Sequence, residues 1–151
     1  MKPKFQKLYN NIAHEVAKMS YARRLQVGAV IVKNDRVISM GYNGMPAGWD
    51  NNCESEEIEF DLVTKTRIGT GKLTTRPEVL HAESNAIAKL AKSNDSGLGA
   101  DLFITHAPCM ECSKLIFQSG ISRVYYSSDY RDDSGIKFLK QSGVEVIKHD
   151  E

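Results

Sequence analysis

The spacing of apolar residues in the first third of the chain predicts a helix followed by two strands. Apolar side chains recur at every third or fourth position in residues 3–20, at Phe5, Leu8, Ile12, Val16 and Met19. That spacing is typical of a helix with one apolar face. The uninterrupted run VGAVIV at 27–32 predicts a buried strand, and VISMGYN after the NDR turn predicts its hairpin partner.

From residue 80 onward, helical and strand patterns alternate. Helices are predicted at 80–93, 109–120 (CMECSKLIFQSG) and 133–143 (DSGIKFLKQSG). The segments DLFIT, RVYYS and VEVIK between and after them are predicted strands. This alternation indicates crossover connections, and hence an α/β fold in which some strands are parallel and helices cover the faces of the sheet.

The segment 43–77 has neither pattern and is predicted to be a long, mostly irregular insertion with a short helix. Its charges are segregated. Five acids stand in CESEEIEFDL without a base, and Lys65, Arg67, Lys72 and Arg76 follow without an acid. Long insertions in compact domains are usually functional or disordered, so this segment is either a ligand-binding loop or a solvated one.

Composition restricts the classes of partner. The chain has 151 residues, of which 41% are hydrophobic, and this suits a single globular domain over 1–151. Its formal net charge of +1 gives no reason to expect a membrane or a stable nucleic-acid partner. No apolar run approaches membrane-spanning length, and the N-terminus is not a secretory signal, so a cytoplasmic location is expected. The three cysteines are then free thiols, available as metal ligands.

Two short motifs carry the candidate chemistry. His81 and Glu83 open one predicted helix, and Cys109 and Cys112 open another. Two thiolates and one imidazole suit Zn²⁺ with its fourth position open to water, which is a catalytic arrangement. Glu83 is then expected to be the proton carrier beside that water.

Alone, each motif has other readings. Cys-x-x-Cys can be a buried pair, a redox motif or half of a structural zinc site, and the redox motif does not explain His81 and Glu83. Together with Pro108 before Cys109, the residues form the H-x-E…P-C-x-x-C signature of zinc nucleobase deaminases. Some members of the family that has this signature carry a second, structural zinc, and the resemblance makes Cys53 a candidate ligand, although partner residues for it are not evident.

HAE and PCMEC resemble the cytidine and deoxycytidylate deaminase superfamily. SYARRLQVGAVIVKNDRVISMGYNGMPAGWDNNC, TRPEVLHAESNAI and YYSSDYRDDSGIKFLKQSGVEV are similar to deoxycytidylate (dCMP) deaminases, especially to phage and bacterial members. The resemblance implies a three-layer α/β/α fold, with a mixed sheet of about five strands and helices on both faces. It also implies hydrolytic deamination of dCMP to dUMP, supplying thymidylate synthesis, in the cytoplasm (the host's, if the protein is phage-encoded).

The resemblance further implies a set of substrate contacts. Ser20, Arg24 and Tyr130 match positions that bind the 5′-phosphate, and their charged fork and hydroxyls suit that role. Arg23 competes with Arg24, and only the resemblance separates the two. Asn43 matches a residue that holds the sugar, although it could be a plain turn asparagine. The remaining candidate contacts to substrate are the Ala82 backbone N–H, Thr105, His106 and Pro108.

Regulation is the last expectation drawn from the resemblance. It implies a homohexamer that is activated by dCTP and inhibited by dTTP, with Mg²⁺ accompanying the regulatory nucleotide. Asn43, Gly44, Glu54 and Arg76 are the candidate regulatory residues. Acids such as Glu54, Glu56 and Glu57 would attract the metal ion, and basic residues of the insertion would meet the phosphates.

Other functions of the same motif stay open. A tRNA adenosine deaminase would be expected to have a basic RNA-binding surface, which the net charge of +1 does not suggest. A deaminase of free cytidine or deoxycytidine would not need Arg24 and Tyr130. A zinc module without catalytic activity would not need Glu83.

Overall fold

The structure, a computed structural model, describes residues 1–149 and contains four helices and seven strands in that range. In chain order they are α1 (Pro3–Ala17), β1 (Gly28–Lys33), β2 (Arg36–Tyr42), β3 (Glu54–Asp61), β4 (Thr66–Thr75), α2 (Ala82–Ala91), β5 (Asp101–His106), α3 (Met110–Gln118), β6 (Arg123–Ser128), α4 (Ser134–Gln141) and β7 (Glu145–Lys148). None of the described helices has the length and apolar character needed to cross a bilayer.

Five strands form a mixed sheet in the order β2-β1-β5-β6-β7. The β1–β2 hairpin is antiparallel, and β1 also pairs antiparallel with β5, where Val30 lies opposite Phe103. The β5–β6 and β6–β7 pairs are parallel. The predicted five-stranded mixed sheet of the cytidine-deaminase-like fold is confirmed. The parallel strands fall where alternating strands and helices predicted crossovers.

Alternate side chains of the central strands enter two separate cores. On one face, α1 packs through Tyr9 and Ala13 against Val30 and Phe103. On the other face, α2, α3 and α4 cover the sheet. The buried side chains of that second core come from β1 (Ala29, Ile31), α2 (Ala82, Ala86, Leu90), β5 (Leu102, Ile104), α3 (Ile116), β6 (Val124) and α4 (Leu139). Both faces of β1 and β5 are therefore covered, which explains why these strands are continuous apolar runs.

The prediction of a mostly irregular segment at 43–77 is wrong. The segment contains a two-stranded antiparallel hairpin, β3–β4, in which Glu54 is paired with Thr75 and Asp61 with Thr66. The alternation of Ile58, Phe60 and Leu62 with acids is a strand pattern that was obscured by the charges. Because the acids lie on one strand and the bases on the other, the segregated charges face each other, as in the Lys72–Glu57 ion pair at 3.7 Å.

Candidate active site

Two helix N-termini converge beyond the carboxyl end of β5. His81 is the N-cap residue of α2 and Cys109 is the N-cap residue of α3. His81 Nδ1 lies 3.3 Å from Cys112 Sγ and 3.6 Å from Cys109 Sγ. The positive ends of both helix dipoles therefore point at the sulfur atoms of Cys109 and Cys112, and this favours their thiolate forms.

The donor atoms of His81, Cys109 and Cys112 lie within 4.8 Å of one another. Within residues 1–149, no other three His, Cys, Asp or Glu side chains are grouped closely enough to hold a metal ion. One imidazole and two thiols are donors that Zn²⁺ prefers, and three protein ligands leave a fourth position free. The donor set fits a catalytic zinc, and none of the described residues forms a comparable cluster around Cys53.

The electrostatics of this cluster favour metal binding. Hydrogen bonding from Cys112 and then from His81 lowers the pKa of the Cys109 thiol to about 4. The pKa of Cys112 is raised, first by its bond to Cys109 and then by burial. Hydrogen bonding to Cys109 raises the pKa of His81. The pair thus holds one thiolate readily and resists a second, and a divalent cation offsets that repulsion.

Glu83 lies in the first turn of α2 and is only 5% exposed. Burial raises the pKa of its carboxyl group, while the neighbouring His81 acts in the opposite direction. A carboxyl group that is buried in a cleft, keeps its proton readily and lies beside a metal-ligand cluster is suited to carrying protons.

A cavity of about 540 Å³ lies beside this cluster. His81, Ala82, Glu83 and Cys109 line it at the cluster, and Arg24 and Tyr130 line it elsewhere. The structure therefore brings the predicted proton carrier, two of the three predicted metal ligands and two of the three predicted phosphate contacts into one cavity, whose lining does not include Cys112 or Ser20. Its volume suits a small ligand of nucleotide size.

Arg131 and Asp129 also line this cavity and were missed by the sequence reasoning. The Arg131 guanidinium carbon lies 5.9 Å from the centre of the Tyr130 ring. The signal was available, because Arg131 directly follows Tyr130 in the turn after β6. A second guanidinium beside Tyr130 adds positive charge where an anionic group would be held.

Asn43 and Ser20 are tied to the backbone. Asn43 lines the cavity, but its Oδ1 accepts from the Val27 N–H at 2.9 Å and its Nδ2 donates to the Leu25 carbonyl at 2.8 Å. Ser20 is buried, and its hydroxyl donates to the Asn43 carbonyl at 2.7 Å. The structure places Ser20 outside the cavity lining, where it supports Asn43.

The other predicted substrate contacts divide in the same way. His106 lines the cavity, and burial lowers the pKa of its imidazole. Thr105 is buried behind it, with Oγ1 2.8 Å from His106 Nδ1 and 3.2 Å from the Gly28 N–H, which donates to it. Thr105 and Pro108 do not contribute to the lining among the described residues.

Pro108 contributes through its backbone. Gly135 of α4 packs on the loop before Cys109. A Cβ at this position would overlap the Pro108 carbonyl oxygen and crowd the Ser113 hydroxyl and the Cys109 carbonyl carbon. Only glycine permits this close approach. Helix α4 therefore supports the backbone before Cys109, and a side chain at position 135 would displace this helix.

The candidate regulatory residues do not form one site. Gly44 lines a second cavity, of about 470 Å³, together with Tyr42, Lys89 and Lys92. Arg76 lines neither cavity, and its Nη1 donates to the Asn52 carbonyl at 3.3 Å. Glu54 is 1% exposed and lines the first cavity, so the expected attraction of Mg²⁺ to an accessible Glu54 does not fit its position.

Residues 3–128 match the family described as the cytidine and deoxycytidylate deaminase zinc-binding region. The chain is 33% identical over 165 aligned positions to the deoxycytidylate deaminase of Enterobacteria phage T4, covering 90% of this chain and 85% of that one. This chain belongs to the cytidine and deoxycytidylate deaminase family.

Similarity within the family extends to solved structures. The dCMP deaminase from cyanophage S-TIM5, crystallised in complex with dCMP and dUMP, is 41% identical over 99% of both chains, with a TM-score of 0.84. ComE operon protein 2 of Bacillus subtilis is 37% identical over 89% of this chain, which spans only 65% of that protein. A structure of tRNA:A34 deaminases, at 24% identity and a TM-score of 0.60, shares the fold.

Proposed function

We propose that this protein hydrolyses dCMP to dUMP and ammonia, with residues 1–151 acting as a single deaminase domain. The observation that carries the proposal is the cavity, which joins the His81–Glu83–Cys109 cluster to Arg24, Tyr130 and Arg131. A nucleoside monophosphate has a base at one end and an anionic group at the other. The likeness to the phage enzyme crystallised with dCMP and dUMP supports the same substrate.

His81, Cys109 and Cys112 would hold a zinc ion. Zinc bound by three protein ligands supplies a Lewis acid that lowers the pKa of water to about 7. The chain's own residues then handle the protons. The buried Glu83 carboxylate takes a proton from the attacking water and delivers it to N3 of the base. The water oxygen adds at C4, and the amino group leaves as ammonia with a further proton carried by Glu83.

Positioning of the substrate rests on the rest of the cavity. The Ala82 N–H at the start of α2 is aligned with the helix dipole and is offered to the base. Arg24, Tyr130 and Arg131 meet the 5′-phosphate through charge-assisted bonds. The Asn43 side chain, fixed by its hydrogen bonds to the backbone of Val27 and Leu25, packs against the sugar in a single orientation.

Ammonia release from dCMP, CMP, deoxycytidine and cytosine tests this assignment. We expect dCMP to have the highest kcat/KM, with deoxycytidine at least tenfold lower, because a charge-assisted phosphate contact contributes roughly 1.5–3 kcal/mol. A protein that prefers deoxycytidine contradicts the proposal, and so does one that deaminates adenosine in tRNA but not dCMP.

Feedback regulation is part of the proposal: dCTP, bound with Mg²⁺, activates a homohexamer, and dTTP inhibits it. The product dUMP passes to thymidylate synthesis in the cytoplasm. The second cavity supports the regulation, since Lys89 and Lys92 offer positive charge to a triphosphate. Gly44 in that cavity exchanges two backbone hydrogen bonds with Leu80, at 3.0 and 2.8 Å, and Leu80 directly precedes His81. A ligand that moves Gly44 therefore acts on the peptide before the metal ligand.

Rates measured against dCMP concentration test the regulation. We expect a sigmoidal curve without dCTP and Mg²⁺, a curve closer to hyperbolic with them, and sedimentation as a hexamer. A hyperbolic curve indifferent to dCTP and dTTP, from a monomer or dimer, removes the regulation and leaves the activity.

A further inference from the structure

Glu54 is a buried carboxylate whose position the deamination chemistry does not explain. It is the first residue of β3, is 1% exposed and lines the same cavity as Arg24 and His81. A buried charge is costly unless it is paired and hydrogen-bonded, so its partners indicate its role.

The partners of Glu54 are two consecutive arginines. Its Oε1 accepts hydrogen bonds from the backbone N–H groups of Arg23, at 2.7 Å, and of Arg24, at 3.1 Å. Its Oε2 lies 3.4 Å from Arg23 Nε and has no hydrogen-bond partner within residues 1–149. One carboxylate thus fixes the backbone of both arginines.

Opposite Glu54 in the β3–β4 register stands Thr75, whose Oγ1 accepts from Arg24 Nη1 at 3.0 Å. Glu54 and Thr75 therefore hold Arg24 by its backbone and by its guanidinium. Arg23 is held away from this role, because its guanidinium is engaged by Asn52 Oδ1 at 3.0 Å and by Glu54.

We propose that Glu54 is a positioning residue that directs Arg24 into the cavity and thereby sets the preference for a 5′-monophosphate over the free nucleoside. The inference deepens the proposed function and rests on it. The base of the hairpin acts as a clamp made of Glu54, Arg24 and Thr75. Glu54 selects between two adjacent arginines, because it occupies one guanidinium and leaves the other facing the ligand.

The test compares a substrate that has a phosphate with one that lacks it. We expect Glu54→Ala to lower kcat/KM for dCMP by roughly 10- to 100-fold, mainly through KM, since small misplacements of binding groups have effects of that size. For deoxycytidine we expect a change within about twofold, because that substrate makes no phosphate contact. Glu54→Gln, which keeps an oxygen acceptor for the two N–H groups, should lie between Glu54→Ala and the unmodified protein.

A double-variant comparison separates positioning from general damage. Once Arg24→Ala is present, adding Glu54→Ala should change dCMP turnover little further, because both substitutions remove the same contact. Equal losses for dCMP and deoxycytidine, or losses that multiply in the double variant, would overturn the proposal. Glu59→Gln, on the exposed part of the same strand, is the matched control and should leave both substrates unaffected.

Two further measurements cover the remaining outcomes. If Glu54→Ala does not fold, Thr75→Val removes the guanidinium contact alone, and it should weaken dCMP and not deoxycytidine. Equilibrium binding of dUMP and deoxyuridine separates this inference from the proposed reaction. If the unmodified protein binds dUMP more tightly than deoxyuridine, Glu54→Ala abolishes that difference and no dCMP is turned over, the proposed reaction is wrong and the positioning role of Glu54 stands. If the unmodified protein binds dUMP and deoxyuridine equally, the positioning role is wrong.

Discussion

The metal-ligand cluster and the β3–β4 hairpin are built in opposite ways. His81, Cys109 and Cys112 come from two helix starts that are backed by a sheet covered on both faces. Within residues 1–149 no third strand pairs with the hairpin, and near its turn Leu62 is 83% exposed and Val63 is 92% exposed. A two-stranded hairpin is marginally stable by itself, so this one depends on its base.

The two regions differ in how precisely their side chains must be held. Proton transfer requires groups held to within a fraction of an ångström, and packed helix starts provide this. The hairpin meets the catalytic cavity only at its base, where Glu54 and Thr75 line it. Substitutions should therefore have large effects at the cluster, moderate effects in its support and small effects along the rest of the hairpin.

The largest effect is expected from removing a metal ligand. Cys109→Ala should lose both bound zinc and turnover, because two remaining ligands are too few for a stable site. Metal analysis of the unmodified protein should find about one zinc per chain. Cys53→Ala is the control and should keep its zinc. Retention of zinc and activity by Cys109→Ala would refute the ligand assignment, and a second zinc that depends on Cys53 would refute the single site.

The next largest effect is expected from removing the proposed proton carrier. Glu83→Gln keeps the size of the side chain but cannot accept and return protons, so kcat should fall by roughly 10²–10⁴-fold. Zinc content and dUMP binding should be retained. The same substitution at the exposed Glu59 should have no effect on kcat. Near-normal turnover in Glu83→Gln would assign proton transfer to another group.

A moderate effect is expected where α4 supports the cysteine pair. Gly135→Ala forces a methyl group onto the Pro108 carbonyl, and overpacking of this kind lowers the free energy of unfolding by typically 1–3 kcal/mol. Zinc affinity should fall as well, because the displaced backbone carries Cys109. Ser134→Ala, one residue earlier, is the control. Unchanged denaturant unfolding of Gly135→Ala would mean that α4 shifts freely and does not support the site.

The smallest effect is expected near the turn of the hairpin, and the same substitution can be made at an exposed and at a buried valine. Val63→Thr in the hairpin should change the free energy of unfolding by less than about 0.5 kcal/mol, since its side chain is already in water. Val124→Thr on β6, which is fully buried, should cost about 1–3 kcal/mol because it buries a hydroxyl. A large loss at Val63 would indicate that the tip of the hairpin is covered in the assembled protein.

Much of the fold was accessible from local patterns. The apolar runs at β1 and β5 and the alternation after residue 80 predicted the sheet, because each element has one periodicity and one burial pattern. The first helix was predicted to reach residue 20 but ends at Ala17. Its apolar spacing continues to Met19, which is 59% exposed, so periodicity alone did not mark the end of the helix.

The site divides along the same line. His81, Cys109 and Cys112 could be grouped from sequence because metal ligands have characteristic spacings at helix starts. Glu54 could not be placed, since its burial depends on two backbone N–H groups that lie 30 and 31 positions earlier in the chain. Gly135 gave no signal either, because a close approach between α4 and the Pro108 loop exists only in three dimensions.

The pairing of Glu54 with Thr75 at the base of the hairpin has a consequence for how the chain tolerates insertions and deletions. Glu54 and Thr75 lie side by side where the hairpin joins the rest of the protein. Residues added or removed between them therefore do not alter the distance from Asn43 to His81. The entropic cost of closing a longer loop at the end of the hairpin grows only slowly with the length of the loop. Insertions or deletions beyond the Glu54–Thr75 pair should therefore leave the His81, Cys109 and Cys112 cluster in place, and the turn of the hairpin is a suitable position for a peptide tag.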